Sequence, residues 1–311
     1  MAKILITESV HPIGPELLTA AGHTVVYADR DMDIIRREIV DADAVLVRII
    51  ELPGSLLATA KNLKIVSKHG VGYDNIDLDY CKSHGVAVTI TPNANSLSVA
   101  EHAFTLMLTL AKNIIPVSNK YRMVGFAAKN HAPGIEMTGK TLGLVGMGRI
   151  GKHILHMCRD GLDMHVIVYD PYISEVPEGV EKVDDLSELL RRADVVTLHC
   201  LLTDETRKLI DRERLALMKP TALLINCARG PIVDEAALIE ALENGRLAGA
   251  GLDVTDPEPV APDSPLFKLP NVIVTPHYAP TTVESATRVS KIAAENINAV
   301  LAGQEPVGRI V

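Results

Sequence analysis

Three residues in the last third of the chain have side chains suited to handling a proton and an anion together: Arg229 in "LLINCARG", Glu258 in "GLDVTDPEP" and His277 in "VIVTPHYAP". A histidine titrates near neutral pH, and a neighbouring carboxylate favours its charged form and fixes its tautomer. An arginine grips a carboxylate through two parallel hydrogen bonds and polarises a carbonyl beside it. Together they supply the parts for moving a hydride and a proton across a carbonyl that adjoins a carboxylate. Singly, each has a plainer reading: a surface ion pair, a turn carboxylate, a loop histidine. Their shared placement just past apolar, strand-like runs sets them apart, because open α/β sheets bind ligands beyond the carboxyl ends of their strands. Asp253, at the end of "AGAGLDV", shares that placement.

A hydride needs a carrier, and "KTLGLVGMGRIGKHI" has the form of a site for one. A buried-strand run ending in Val145 is followed by Gly146, Gly148 and Gly151, and then by apolar residues at helical spacing. In a strand–turn–helix of this kind the first glycine allows the tight turn and the second admits a pyrophosphate. The third lets helix and strand pack closely, and the helix N-terminus offers unpaired N–H groups. The next apolar run, "DMHVIVYDP", ends in Asp170, 19 residues beyond Gly151. A carboxylate there binds ribose hydroxyls and repels a 2′-phosphate, so the pattern points to NAD rather than NADP. His199 ends a strand close to this motif and is expected to line the cofactor pocket; His11, His23, His131 and His165 have no comparable context.

The elements that must position these residues form two series. "KILIT", "TVVYA", "AVLVR", "LKIVS" and "VAVTI" alternate with helical stretches in the first ninety residues. From Leu142 a second series runs through "LGLVG", "HVIVYD", "DVVTLHC", "ALLIN", "AGAGLDV" and "NVIVTP". Such alternation predicts parallel sheets covered on both faces. Between the series, "SLSVAEHAFTLMLTLAKNII" reads as one long helix, apolar on most sides and therefore buried between domains or against a second subunit. The stretch from Arg122 to Lys140 has little periodicity and reads as an arm or loop. The amphipathic run from Val283 follows the last strand and is expected to pack back on the first series, so that the chain crosses near Asn95 and near Pro280.

The formal net charge of −8 argues against a general nucleic-acid or membrane-surface role. Cys81, Cys158, Cys200 and Cys227 show no metal-binding spacing, so no metal is expected, and they read as reduced thiols. "MAKILITES" enters a strand directly and no apolar run approaches the ~18 residues of a membrane span. A cytoplasmic location is the expectation.

The order of "KHGVGYDNID", "NANSLSVAEH", "GLVGMGRIG" with Asp170, "LLTDETRKLI", "INCARGPIVDE", "LDVTDPEP" and "TPH" resembles the D-isomer-specific 2-hydroxyacid dehydrogenase family over nearly the whole chain. That family includes phosphoglycerate dehydrogenases and hydroxypyruvate or glyoxylate reductases. The resemblance implies two doubly wound parallel-sheet domains: a Rossmann NAD-binding domain, residues 97–280, inserted in a flavodoxin-like substrate domain of residues 1–96 and 281–311. It assigns His277 as acid/base, Glu258 as its partner and Arg229 as substrate clamp. Along NAD it places Arg149 and Ile150 at the pyrophosphate, Asp170 at the ribose, Asp253 at the nicotinamide carboxamide, and Thr206, Cys227, Ala228 and Ala279 elsewhere on the cofactor. The amides of Gly70, Val71 and Gly72 would hold the substrate carboxylate, with Arg48, Lys68 and His69 reading the group beyond it. A small 2-keto or 2-hydroxy acid and a homodimer through Ser98–Ile115 and the following arm complete the expectation.

The chain departs from the family pattern in three places. Tyr278, Ala279 and Pro280 stand where the family often has glycines, and Arg48 is followed by Ile49 and Ile50 with no lysine. The sequence also ends near residue 311, so the C-terminal regulatory domain of many phosphoglycerate dehydrogenases is not expected. These departures bear on the substrate rather than on the reaction. Two other readings use the same parts: an NAD-sensing binding protein of the corepressor kind, and a dehydrogenase of another small anion such as formate or phosphite.

Overall fold

Aliphatic runs four or five residues long are matched to strands that are buried on both faces, and the chain uses them in two separate sheets. A computed structural model, which describes residues 1–130 and 132–311, divides into two compact units: Met1–Asn95 with Pro280–Val311, and Ser96–Ala279.

The first unit begins with β1 (Lys3–Ile6), α1 (Ile13–Ala20), β2 (Thr24–Tyr27), α2 (Met32–Glu38), β3 (Ala44–Val47), α3 (Gly54–Leu57), β4 (Ile65–Lys68), α4 (Leu78–Ser83) and β5 (Ala87–Thr89). All pairings are parallel and the order is β2-β1-β3-β4-β5, the flavodoxin-like arrangement. Alternate residues serve opposite faces: Ile4, Ile6 and Leu46 meet Leu18 and Ile297, whereas Leu5, Val45 and Val47 meet Ile35 and Leu57.

The second unit contains α5 (Ser96–Ala111), α6 (Ile114–Val124), β6 (Thr141–Val145), α7 (Arg149–Leu162), β7 (His165–Tyr169), β8 (Val180–Lys182), α8 (Leu186–Arg192), β9 (Val195–Leu198), α9 (Arg212–Leu217), β10 (Leu223–Asn226), α10 (Glu235–Glu243), β11 (Gly249–Leu252) and β12 (Val272–Val274). Its parallel sheet runs β12-β11-β10-β9-β6-β7-β8, so the winding direction reverses between β6 and β9. The loops leaving those two strands diverge, which opens the crevice where a dinucleotide lies in such sheets. The last helix, α11 (Val283–Leu301), belongs to the first unit, where Ala293, Ala294 and Ile297 cover one face of the sheet.

The single helix expected from residue 96 to 115 is two helices. Asn113 takes a left-handed conformation (φ 51°), which ends α5 and redirects the chain into α6. Asparagine tolerates that region better than other side chains, and Pro116 falls in the first turn of α6, where a missing N–H is harmless. Helix α6 then runs to Val124 and a short 3₁₀ turn follows over Gly125–Asn130, so the front of the expected arm is helical. His131 lies outside the described residues. Strand β8 was not expected: "VEK" offers one apolar residue at the edge of the sheet.

Candidate active site

The turn after β6 fits a dinucleotide. Gly146 has φ 89°, and a Cβ there would stand 2.8 Å from the Cys200 nitrogen. A Cβ on Gly151 would stand 2.4 Å from the Gly146 carbonyl oxygen, whereas one on Gly148 would meet nothing within 4 Å. The outer glycines therefore serve close packing, and the middle one faces open space. Gly148 is also the residue before α7 and has no side chain to cap it, so the first-turn amides at Arg149 and Ile150 are left for a phosphate. Asp170, at the end of β7, accepts hydrogen bonds from the amides of Met147 (2.8 Å) and Tyr172 (3.0 Å), one on each oxygen. Each oxygen retains an acceptor site for a ribose hydroxyl.

Other residues expected along the cofactor sit in the same unit. His199, just past β9, has Nε2 2.8 Å from Thr197 Oγ1, while Nδ1 is sealed from solvent with no partner. Burial pushes its pKa down to about 3, so the ring is neutral at physiological pH. Thr206 closes its own loop, donating to the Leu201 carbonyl at 2.6 Å. Cys227 is buried, and burial with Asp253 nearby pushes its thiol pKa well up. It is therefore an inert lining group rather than a nucleophile.

The ends of β10, β11 and β12 carry the acid/base candidates. Asn226, Leu252 and Val274 lie in one row of the sheet. Asp253 thus stands one residue past that row, and Arg229 and His277 three residues past it. Asn226 shapes the first loop: its side chain accepts from the Ala228 amide (3.0 Å) and donates to the Arg229 carbonyl (2.9 Å). Gly230 lets this loop press on the next, because a Cβ there would lie 1.9 Å from the Thr255 carbonyl oxygen. Arg229 donates from Nη1 to the Ala228 carbonyl at 2.8 Å.

His277 has φ 53°, a left-handed conformation unusual for a bulky residue. Asp253 supports it: its carbonyl accepts the His277 amide at 2.7 Å, and its carboxylate accepts the amides of Tyr278 (2.7 Å) and Ala279 (2.9 Å). Thr275 adds a hydroxyl donor to the same carboxylate at 2.6 Å. One acceptor site remains on Oδ2, enough for a carboxamide N–H. On the other side, His277 Nδ1 lies 2.8 Å from Glu258 Oε1. With Nδ1 bonded to Glu258, Nε2 is the nitrogen left for a substrate oxygen, and side-chain exposures of 28% and 36% leave the pair open to solvent.

In the first unit, Gly70 has φ 143° and its carbonyl is tied to Thr91. The amides of Val71 and Gly72 donate to no acceptor among the described residues, which suits an anion. His69 Nε2 is buried without a hydrogen-bond partner, and burial, with Arg48 nearby, pushes the ring pKa down to about 3. Lys68 is buried, and its Nζ donates to Asn75 Oδ1 at 2.6 Å and to the Arg48 carbonyl. Its ammonium therefore holds the loop after β3. Glu8, 1% exposed, accepts the amides of Arg48 (2.8 Å), Ile49 (2.7 Å) and Ile50 (3.1 Å) on that loop. Neither Glu8, Asn75 nor Asn226 stood out in the sequence. For Glu8 and Asn226 the available signal was a polar residue closing or following an apolar strand; Asn75 had none.

Comparison with known proteins fits this geometry. The model of the D-isomer specific 2-hydroxyacid dehydrogenase, NAD binding domain, matches residues 104–279. The chain belongs to that family. It is 42% identical over 308 residues to a D-3-phosphoglycerate dehydrogenase of Methanocaldococcus jannaschii, covering 98% of this chain and 58% of that protein. A glyoxylate reductase of Thermofilum pendens is 38% identical, with 98% of this chain and 93% of that protein covered. Among solved structures, D-lactate dehydrogenase from Aquifex aeolicus, complexed with NAD and lactic acid, superposes with a TM-score of 0.88 at 32% identity over 96% of each chain. The chain spans little more than half the length of the curated phosphoglycerate dehydrogenases that it matches. The matched model is that of the family's NAD-binding domain, which lies within the second unit. No helix among the described residues is long and apolar enough to cross a membrane.

Proposed function

We propose that this dehydrogenase interconverts a short 2-keto acid and its 2-hydroxy acid, with His277 as the acid/base. The observation that carries the reading is the His277–Glu258 contact of 2.8 Å, held at the strand ends of the NAD-binding unit. NADH, when bound, supplies the hydride. In keto-acid reduction His277 gives its proton from Nε2 to the carbonyl oxygen, and Glu258 on Nδ1 keeps the ring oriented for that transfer. Arg229 orients the carboxylate next to that carbonyl by a bidentate contact, for which a guanidinium is suited and an ammonium is not. In the first unit, the amides of Val71 and Gly72, with Gly70, are suited to holding an anion. Asp170 takes the ribose hydroxyls and Asp253 the carboxamide.

Glyoxylate and hydroxypyruvate are the preferred candidates. Ile49 and Ile50 follow Arg48, and Lys68 is committed to the loop's own carbonyl, so a basic cluster for a substrate phosphate is missing from this loop. A homodimer is part of the same reading: α6 buries none of its residues and exposes Ile114, Tyr121 and Met123, with Phe126 just beyond. The direct test is NADH oxidation with glyoxylate, hydroxypyruvate, pyruvate and 3-phosphohydroxypyruvate. Turnover is expected with the unphosphorylated acids. A protein that binds NADH but turns over none of the four would instead be an NAD-sensing binder.

A further inference from the structure

His102, in α5, has no part in the reaction as described, yet its ring lies against the loop that carries His277. Its Nε2 is 3.0 Å from Thr275 Oγ1 and 3.4 Å from Asp253 Oδ1. The ring also meets Tyr278 edge-on, with centroids 6.2 Å apart. Thr275 has one hydroxyl proton and donates it to Asp253 Oδ1 at 2.6 Å. Toward the imidazole, therefore, that hydroxyl can only accept, and His102 Nε2 must carry a hydrogen. A directed chain follows: His102 donates to Thr275, Thr275 donates to Asp253, and Asp253 accepts the amides of residues 277 to 279 through its carbonyl and carboxylate.

The carboxylate is 1% exposed and accepts the Tyr278 amide on Oδ1 and the Ala279 amide on Oδ2. The Thr275 hydroxyl, held by His102, adds the side-chain donor to Oδ1. Without the His102 hydrogen, Thr275 loses the bond that keeps its own proton pointed at Asp253. The carboxylate then keeps only the Tyr278 and Ala279 amides, and the support of the loop that sets His277 at φ 53° is weakened. We propose that His102 is a positioning residue, acting through Thr275 and Asp253 to hold the His277 loop in the geometry that delivers the proton. The proposal rests on the reading of His277 as acid/base.

The test compares wild type, His102→Leu, His102→Gln, Thr275→Val and the double variant His102→Leu/Thr275→Val. Leucine keeps apolar bulk without a donor, and glutamine returns an N–H at similar reach. A displacement of about 1 Å at a catalytic group costs on the order of 100-fold in rate. The expected result is a fall of kcat by about 10- to 100-fold in His102→Leu and recovery to within about threefold of wild type in His102→Gln. The double variant should be no slower than the slower single, because both act along one path. Ring-nitrogen NMR of the cofactor-free protein gives a readout independent of turnover and should show His102 as the Nε2–H tautomer.

Wild-type kcat in His102→Leu, equal losses in the Leu and Gln variants, multiplicative losses in the double variant, or an Nδ1–H tautomer would overturn the proposal. If His102→Leu does not fold, the Gln variant, Thr275→Val and the NMR tautomer still decide it. Failure of the underlying reading looks different: the wild type would reduce no 2-keto acid, or His277→Ala would keep its activity.

Discussion

In the proposed reading Asp170 selects NAD through what its carboxylate already holds. The Met147 and Tyr172 amides fix both oxygens in place, so a ribose meets an acceptor that need not reorganise, and a 2′-phosphate meets a fixed negative charge. The expected outcome is a kcat/KM for NADH at least tenfold above that for NADPH, an order-of-magnitude expectation for one lost charge-assisted bond and one repulsion. Asp170→Ala should lower the NADH value and narrow the ratio. Equal efficiency with the two cofactors in the wild type would remove this role from Asp170. The placement of Arg229, Asp253 and His277 just past strands, with Glu258 in the loop after β11, was legible because each strand has its own apolar signal. His102 and Glu8 could not be assigned in this way. Their partners lie 173 and about 40 residues away, at Thr275 and on the loop after β3, and no local spacing encodes such contacts.

At the scale of elements, most strands were legible because they are buried on both faces and hence continuously aliphatic. The α5–α6 break was not, because Asn113 sits inside the apolar run "AKNII" and a left-handed asparagine leaves no mark in hydrophobic periodicity. The break matters for association. Helix α5 buries Val99, Ala103, Leu106 and Met107 against its own sheet, whereas α6 buries nothing. In the proposed homodimer the apolar contact therefore falls to α6 and the turn after it, where Met123 is 78% and Phe126 75% exposed. Light scattering at micromolar concentration should give a dimer. The pair Met123→Glu and Phe126→Glu should shift it toward monomer by placing charge in the apolar contact. A wild-type monomer, or a dimer indifferent to both changes, would place the interface elsewhere.

At the scale of the whole molecule, His69 and His199 make stability depend on pH. Both folded pKa values lie at about 3, against an ordinary value of 6.5, because burial disfavours the charged ring. The unfolded chain takes up these protons as pH falls through about 6.5, and the folded chain does not until about pH 3. Their contribution to stability is thus complete above pH 6.5 and declines below it, each histidine adding a slope of about 1.4 kcal/mol per pH unit within that window. Unfolding midpoints measured from pH 7.5 to 5 should fall, and His199→Gln should flatten the fall. An unchanged slope in that variant would show that His199 is protonated in the folded protein.

The central claim is that His277 moves the proton, and kcat for reduction of the best 2-keto acid by His277→Ala against wild type tests it most directly. The expected loss is about 100- to 10,000-fold with NADH affinity retained, because the glycine turn and Asp170 do not depend on the imidazole. Near-wild-type turnover in His277→Ala would contradict it.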